Sequence, residues 1–411
     1  MFAAGFAVGL GGIVKQVDEL PTAGGNTLQR TLIAACGMFR LGGIMLRTWL
    51  TLGLLACTGE VGDTDLEDTD QDTPTWVNLD SLASDLVAEH ELPSMALMVV
   101  NANGVVALGT AGNRVWGEDD PITAFDAFHL GSNTKAMTAT LAGTFVDDGD
   151  IAWDSTIQEL FPELEVNEAW SEITLMDLLS HHAGVDDQDA FGSVWNDWID
   201  ESETPEQFRA ELAAAVFADP PDGDPGDFEY SNAGYVLVGA ALEQLSGKSW
   251  ETLMDERIFT PLGMECGFGA PTGGAPWGHT GSPGDWDPQD PSGFADNPPA
   301  MGPAGTVHCP LPDWAPFIVQ HATHGSLLSE ESFAALQQDQ GDDYGGGWNV
   351  VDTNSGLALQ HGGSNTLWNT NLWVFPESGM AYVSATNAYS DPETFEALDA
   401  GIVELIGQYP L

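Results

Sequence analysis

Strand-forming segments lie near both ends of the foldable part of this chain, and helix-forming segments fill the interval between them. The early strands are Ala96–Val100 and Val105–Leu108, joined by a turn over residues 101–104. The late strands are Gly347–Val351, Leu357–His361, Asn371–Phe375 and Met380–Ala385. This order predicts an α+β fold in which a discontinuous sheet holds an inserted, mostly helical region.

Helix start and stop residues mark the predicted helices. Thr204 opens a capping box with Pro205 at the first helical position. The predicted helices are the run after Ser132, Pro205–Phe217, Asn232–Ser246 before Gly247, Trp250–Ile258 and Glu393–Gln408. The segment Gly269–Gly305 is rich in Gly and Pro, and we expect a long surface loop there.

The beginning of the chain resembles an export signal. A basic segment at Met45–Arg47 precedes an apolar run from Trp49 to Ala56, and Cys57 follows directly. This pattern resembles a bacterial lipoprotein signal, in which the cysteine is lipidated. The alternative is an ordinary secretory signal followed by a cysteine by chance. We expect residues 1–56 to be the export segment, with translation starting at Met38 or Met45.

Residues 57–75 are rich in Asp, Glu, Thr and Gly and lack apolar periodicity. This composition predicts a disordered acidic tether, followed by a folded domain over residues 76–411. We therefore expect an exported protein of the bacterial cell envelope, anchored by a lipid on Cys57. A secreted or periplasmic soluble protein is the alternative.

The charge balance excludes some partners. There are 63 acidic residues against 9 basic ones, a formal net charge of −54. Such a field repels nucleic acid and anionic lipid headgroups. We expect no nucleic-acid partner, and membrane attachment only through the lipid on Cys57.

Ser132-Asn133-Thr134-Lys135 is a Ser-x-x-Lys motif at the predicted start of a helix. Residues three apart on a helix share a face, so the motif places the Lys135 amine beside the Ser132 hydroxyl. A serine hydroxyl becomes a strong nucleophile when a neighbouring base takes its proton. The chain has only three lysines, which makes one at this position notable. The alternative is an ordinary surface lysine.

Tyr230-Ser231-Asn232 leads into the next long predicted helix. A tyrosine is normally protonated at neutral pH, but a lysine ammonium nearby is expected to lower the pKa of Tyr230 enough for general-base catalysis. The Asn232 amide both donates and accepts hydrogen bonds, which suits a substrate amide. The alternative is a buried tyrosine beside an N-cap residue.

His361-Gly362-Gly363-Ser364 ends a predicted strand. Glycines such as Gly363 let a substrate approach the backbone closely. We expect the backbone N–H groups of Ser364 and Ser132 to form an oxyanion hole. We expect His361 to orient the substrate or the Tyr230 hydroxyl, although a lone histidine after a strand is usually structural.

In this order the three motifs resemble those of the penicillin-recognising serine hydrolases, which include class C β-lactamases, D-alanyl-D-alanine carboxypeptidases and related esterases. The resemblance extends from about Trp76 to Leu411. Further familiar segments are Ile173–Gly184, Pro225–Tyr235, Pro261–Met264 and Pro303–Gly305. It implies a β-lactamase/transpeptidase-like fold, with an antiparallel sheet flanked by helices and a mostly helical subdomain. It also implies an acyl-enzyme on Ser132, with Lys135 and Tyr230 relaying the proton and no metal or organic cofactor.

The third motif departs from the β-lactamase pattern, which usually has Lys-Thr-Gly where this chain has His361-Gly362-Gly363. Some peptidase and esterase relatives have histidine there, so we still expect hydrolase activity. We expect β-lactamase activity less than ester or amide hydrolysis. Arg257 is the last Lys or Arg in the chain, so the late strands hold no permanent cation for a substrate carboxylate. We therefore expect the chain to act on a small neutral ester or amide, as an esterase or amidase-like peptidase. We also expect it to be a monomer.

Several alternatives stay open at the level of sequence. A catalytically silent cell-surface binding protein of the same fold is the rival to an enzyme. Cys266 and Cys309 either form a disulfide in an oxidising compartment or stay as separate buried thiols. The spacing of the four cysteines matches no metal-binding pattern. His181 is expected to be structural, near a helix C-terminus that favours positive charge.

Overall fold

The computed structural model of the chain describes residues 75–192, 204–293 and 295–411. The predicted export segment (1–56) and Cys57 lie outside the described residues. So does the acidic tether predicted over residues 57–75, apart from Thr75.

The strands near the two ends of the described chain meet in one seven-stranded sheet. In chain order the strands are β1 (Val77–Asn78), β2 (Ser94–Asn101), β3 (Gly104–Gly112), β4 (Ala127–His129), β5 (Gly267–Phe268), β6 (Gly278–Ser282), β7 (Asp285–Gln289), β8 (Val307–Pro310), β9 (Asn349–Thr353), β10 (Gly356–Ser364), β11 (Asn369–Phe375) and β12 (Met380–Thr386). The large sheet has the order β1-β3-β2-β12-β11-β10-β9. β2 and β12 pair antiparallel and join the early strands to the late ones, as the order of elements predicts.

The sheet is mixed rather than wholly antiparallel. β1 pairs parallel with β3 at one edge, with Val77 opposite Ala107. The pairing lasts two residues, because β1 is only two residues long. So short a strand carries no periodicity that would reveal it in the sequence. The expected α+β fold, with a sheet flanked by helices, is confirmed. The sheet is antiparallel except for this short parallel pairing at its edge.

The helices lie mostly between β4 and β9 in the chain. The α-helices are α1 (Asp80–His90), α2 (Thr134–Asp148), α3 (Ile157–Leu160), α4 (Leu175–Leu179), α5 (Asp187–Gly192), α6 (Pro205–Ala218), α7 (Asn232–Ser246), α8 (Trp250–Met254), α9 (Thr260–Leu262), α10 (Gly302–Gly305), α11 (Leu311–Thr323), α12 (Glu330–Gln337) and α13 (Glu393–Gln408). The predicted helix Trp250–Ile258 is interrupted by a π-helical turn over Asp255–Phe259 and runs on to Leu262. Within the described residues, no helix is long and apolar enough to cross a membrane.

Both faces of the large sheet are buried, and β2 shows how the sequence achieves this. Its side chains alternate between the two faces, so Met95, Leu97 and Val99 pack in one cluster with α1 and α13. The side chains of residues 96, 98 and 100 join the larger cluster, which includes residues of α2, α7 and α11. Each fully buried side chain of this kind stabilises the fold by about 1.5–3 kcal/mol. Because both faces of β2 are buried, its sequence is a nearly continuous apolar run.

A small three-stranded sheet, with the order β4-β8-β5, leads the chain to Ser132. Phe128 in β4 lies opposite Cys309 in β8. Cys309 forms a disulfide with Cys266, with 4.4 Å between the two Cα atoms. Of the two alternatives left open by the sequence, the structure therefore contains the disulfide. It joins β8 to the residue just before β5, close to the start of the Ser-x-x-Lys motif.

The segment Gly269–Gly305 is not a long surface loop, and that prediction is wrong. It contains the β6–β7 hairpin and α10, and Trp286 and Met301 within it are buried. The prediction followed the Gly and Pro content, which marks turns. The apolar residues between these turns are too widely spaced to show a helix or strand period.

Candidate active site

Ser132 and Lys135 lie at the junction between a 3₁₀ turn and α2. The turn spans Gly131–Asn133, and α2 begins at Thr134. The Lys135 Nζ is 3.1 Å from the Ser132 Oγ, as the spacing of the motif predicts. Ser132 is half-buried, whereas the Lys135 side chain has no exposed surface. Lys135 is therefore not a surface lysine.

The Lys135 amine has two further partners besides the serine. It donates to the Asn232 Oδ1 over 2.7 Å and to the Ala304 backbone carbonyl over 2.8 Å. Burial lowers the pKa of Lys135 to about 7, and the nearby Asp187 carboxylate partly opposes this shift. A neutral amine in this place keeps two N–H bonds for the two carbonyl-type oxygens. Its lone pair is then left to accept the Ser132 hydroxyl proton.

Tyr230 lies against Lys135 but does not behave as predicted. The Lys135 Nζ is 4.8 Å from the centre of the Tyr230 ring. Burial raises the pKa of Tyr230, and its hydrogen bond with Ser132 only partly offsets this. The expectation that a lysine charge lowers this pKa is wrong, because burial dominates. Tyr230 thus keeps its proton at neutral pH, whereas the Lys135 amine is partly neutral there.

The His361–Ser364 segment approaches the Ser132 turn through its backbone. Gly131 has a φ of 52°, in the left-handed region that favours glycine. A Cβ placed on Gly131 would overlap the Ser364 nitrogen, and one on Gly363 would overlap the Leu130 carbonyl oxygen. This close approach puts the Ser364 backbone nitrogen beside the turn that contains Ser132. The oxyanion hole expected from these two N–H groups stays a prediction.

His361 is buried, and both of its ring nitrogens already have partners. Nδ1 lies 2.6 Å from the Gly362 carbonyl and must donate to it, so Nε2 accepts from the Tyr344 hydroxyl over 2.9 Å. Burial, assisted by the charge of Lys135, lowers the pKa of His361 to about 3. Its contact with Tyr230 is between rings whose centres are 6.5 Å apart. The structure thus gives His361 no free nitrogen with which to orient the Tyr230 hydroxyl or a substrate.

His181 lies under the Tyr230 ring, with 4.4 Å between the ring centres. Its Nδ1 accepts a hydrogen bond from the Ser231 backbone N–H over 3.0 Å, which helps to hold the Tyr230–Asn232 segment. Burial, with the charge of Lys135, lowers the pKa of His181 well below its usual value. The structural assignment of His181 fits these contacts, but a positive charge on it does not.

A second buried network connects the two backbone segments at Ser132 and Ser364. The Gly131 N–H donates to the His129 Nδ1 over 3.1 Å, so the His129 Nε2 carries the proton and donates to Asp296 over 2.9 Å. The other oxygen of Asp296 accepts from the Asn365 side chain over 3.0 Å. The Asp296 carboxylate therefore links His129, near the Ser132 N–H, to Asn365, next to the Ser364 N–H.

Several residues of the site have no motif that would reveal them in the sequence. They are His129, Asp187, Asp296 and Tyr344. Ala304 belongs to the Pro303–Gly305 segment that resembles the family, but the sequence does not show that its carbonyl oxygen accepts from Lys135. The contacts that link these residues to other segments of the site span 17 to 169 positions of the chain, and only the folded structure brings them together.

The other cations of the described chain lie in ion pairs. The pairs are Arg114 with Asp120 and Asp126, Arg209 with Glu243 and Glu251, Lys248 with Glu256, and Arg257 with Asp148. Lys135 is therefore the one lysine or arginine at the site among the described residues. In the same part of the chain, no group of three or more His, Cys, Asp and Glu side chains is arranged to hold a metal ion.

Comparison with known proteins identifies a family that covers most of this chain. A family model described as Beta-lactamase matches residues 79–405. Penicillin-binding protein 4 of Amycolatopsis lactamdurans is 27% identical over 326 residues, which cover 74% of this chain and 82% of that protein. Lovastatin esterase of Penicillium rubens is 27% identical over 163 residues, or 36% of this chain and 41% of that protein.

One solved structure extends the comparison to the fold. The D-amino acid amidase from Ochrobactrum anthropi SV3, complexed with L-phenylalanine amide, superposes with a TM-score of 0.65. The match covers 80% of this chain and 98% of that chain at 22% sequence identity. At this identity the likeness establishes a shared fold.

We predict that the Lys135 amine titrates near pH 7, because burial disfavours its charged form. The chain has three lysines, so NMR of protein labelled with ¹³Cε-lysine gives few resonances to assign. Lys248→Arg identifies the exposed lysine and should leave the Lys135 titration unchanged. A Lys135 resonance that stays that of an ammonium up to about pH 9 would contradict the prediction.

Proposed function

The chain belongs to the beta-lactamase family, and from that premise we propose that it is a serine hydrolase that cleaves neutral ester or amide bonds through an acyl-enzyme on Ser132. The observation that carries the proposal is the fully buried Lys135 amine, 3.1 Å from the Ser132 Oγ. Near pH 7 this amine is partly neutral and accepts the serine proton as the oxygen attacks a carbonyl carbon.

The surrounding groups supply the remaining steps of the proposed reaction. The backbone N–H groups of Ser132 and Ser364 hold the oxyanion of the tetrahedral intermediate. The Lys135 ammonium then returns the proton to the leaving group, through the Tyr230 hydroxyl, which stays protonated and can pass a proton on. Water next enters, Lys135 takes one of its protons, and the hydroxide attacks the acyl carbon. The bond from that carbon to the Ser132 Oγ breaks, the acid leaves, and the Lys135 ammonium returns its proton to the Ser132 Oγ. Asn232 holds the amine in place by accepting a hydrogen bond from it at Oδ1.

We propose an ester ahead of an amide, and a neutral substrate ahead of an anionic one. A relative of this chain is a lovastatin esterase, which supports the ester. The likeness to a D-amino acid amidase concerns the fold, so the amide stays a second candidate. Carboxylates flank the Tyr230 segment, where burial and then Asp186 raise the pKa of Glu229. Such surroundings disfavour a substrate carboxylate.

We predict that Ser132→Ala abolishes labelling by a fluorophosphonate probe and lowers ester hydrolysis by about 10³-fold or more, because the nucleophile is gone. Labelling is read by mass spectrometry, and circular dichroism checks the fold. Ser355→Ala, at an exposed position on the β9–β10 turn, is the matched control and should label like the wild type.

The same experiment tests the rival function. Stoichiometric labelling of Ser132→Ala would show that another residue is the nucleophile. A wild-type protein that folds but neither labels nor turns over any ester, amide or chromogenic cephalosporin would favour the silent binding protein of the same fold.

We predict that p-nitrophenyl acetate is hydrolysed with a higher kcat/KM than a penicillin, a cephalosporin or a peptide with a free C-terminus. The described cations other than Lys135 are already paired with carboxylates, so none is left for a substrate carboxylate. Added salt should improve kcat/KM for the anionic substrates by screening the negative field, and leave the neutral ester unaffected. Cephalosporin hydrolysis faster than ester hydrolysis at neutral pH and low salt would overturn this preference.

Mild acid should not rescue the anionic substrates. A histidine with its ordinary pKa of about 6.5 would become charged in mild acid and provide a cation at position 361. The structure corrects this, because burial lowers the pKa of His361 to about 3. We therefore expect His361 to stay neutral from pH 5 to 9.

We also propose that the protein is exported to the cell envelope and held there by a lipid on Cys57. If so, the protein expressed in a bacterial host should enter the detergent phase on Triton X-114 partitioning, and Cys57→Ser should move it to the aqueous phase. Thr64→Ser, a change in the predicted acidic tether, is the control and should partition like the wild type. Partitioning that Cys57→Ser leaves unchanged would exclude the lipid anchor.

A further inference from the structure

Asp187, the first residue of α5, contacts the start of α7 through three hydrogen bonds. Its Oδ1 accepts from the Ser231 hydroxyl over 3.0 Å and from the Ala233 backbone N–H over 2.8 Å. Its Oδ2 accepts from the Asn232 Nδ2 over 2.8 Å. We propose that Asp187 is a positioning residue that orients the Asn232 amide toward Lys135 and controls the charge of the Lys135 amine.

The orientation of the Asn232 amide follows from the chemistry of its two neighbours. A carboxylate can only accept hydrogen bonds, so the Asn232 NH₂ group must face Asp187. The amide oxygen then faces Lys135, where it accepts from Nζ over 2.7 Å. A flipped amide would place oxygen against oxygen at Asp187 and donor against donor at Lys135. Asp187 therefore selects one of the two amide orientations.

The second part of the inference concerns charge. Five titratable side chains face Lys135 or are coupled to it: Asp187, Tyr230, Tyr235, His181 and His361. Burial keeps both tyrosines protonated and both histidines neutral near pH 7. This leaves the Asp187 carboxylate as the charged partner of Lys135 in the set. Its field favours the ammonium and so limits how far burial lowers the pKa of Lys135.

The effect on catalysis rests on the proposed function, in which Lys135 takes the proton of Ser132. With the Asn232 oxygen and the Ala304 carbonyl each accepting one N–H, the lone pair of a neutral Lys135 points to Ser132. Loss of the amide orientation would let the amine rotate away from this alignment. A misplacement of this kind in a proton-transfer group lowers kcat by about 10–100-fold.

Three variants separate the geometric role of Asp187 from its charge. Asp187→Asn removes the charge and sets an NH₂ group against existing donors. Asp187→Glu keeps the charge but moves it by one methylene. Asp189→Asn removes a charge from an exposed position two residues away and is the matched control. The readouts are kcat and KM for p-nitrophenyl acetate from pH 5 to 9, and the NMR titration of Lys135.

For Asp187→Asn we expect kcat to fall about 10–100-fold with little change in KM, because Asp187 acts through Asn232 and Lys135 rather than on the substrate. The acidic limb of the pH–rate profile and the Lys135 titration should both move to lower pH. Asp187→Glu should lose kcat but keep the position of the limb. Asp189→Asn should match the wild type in every readout.

Each other outcome counts against the inference or against the proposed function, and the two are distinguishable. If Asp187→Asn lowers kcat but moves neither the acidic limb of the pH–rate profile nor the Lys135 titration, Asp187 has only a structural role. If Asp189→Asn had the same effects as Asp187→Asn, the cause would be the loss of negative charge in this region and not the specific contacts of Asp187. A Lys135 titration that shifts in Asp187→Asn while the wild type hydrolyses no substrate would uphold the coupling and overturn the proposed function.

Discussion

A lysine amine with no exposed surface is the constraint on which the rest of this site depends. An uncompensated ammonium inside a protein costs several kcal/mol, so the amine must have acceptors or give up its proton. Lys135 has three acceptors, which come from its own turn, from α7 and from α10. The same contacts that make the burial tolerable also hold the amine beside Ser132. In this fold, the contacts that stabilise the buried amine are therefore also the contacts that align it with Ser132.

That requirement explains why small residues occur where α2, α7 and α10 converge. A Cβ on Gly239 of α7 would overlap Pro303 of α10, so glycine lets the two helices approach. A Cβ on Gly347 would overlap the backbone of Ala136 in α2, which brings the segment before β9 against the same helix. The Ala304 carbonyl reaches Lys135 because this approach is allowed. Gly239 and Gly347 therefore allow the close packing of the elements that surround Lys135.

The sequence predicts those features that depend on local spacing. The bounds of α7 and α13 match the prediction, because a glycine or a run of helical periodicity marks them within the segment itself. The Ser132–Lys135 contact is likewise an i to i+3 relation. The direction of the Tyr230 pKa is wrongly predicted, because it depends on burial by residues from elsewhere in the chain. Asp187, Asp296 and Tyr344 escape prediction for the same reason, since each acts across a gap in sequence that no local pattern records.

The strongly acidic composition and the proposed use of Lys135 as a base near neutral pH impose opposite demands, and the burial of Lys135 reconciles them. A net charge of −54 favours protonation of any amine, which would keep a surface lysine charged and useless as a base. Charges on the surface are screened by salt over about 8–10 Å, so most of the 63 carboxylates act weakly on a group in the interior. Burial then dominates and lowers the pKa of Lys135 to about 7. Asp187 is close enough to escape this screening, so one carboxylate, rather than the whole acidic surface, is left to adjust the base.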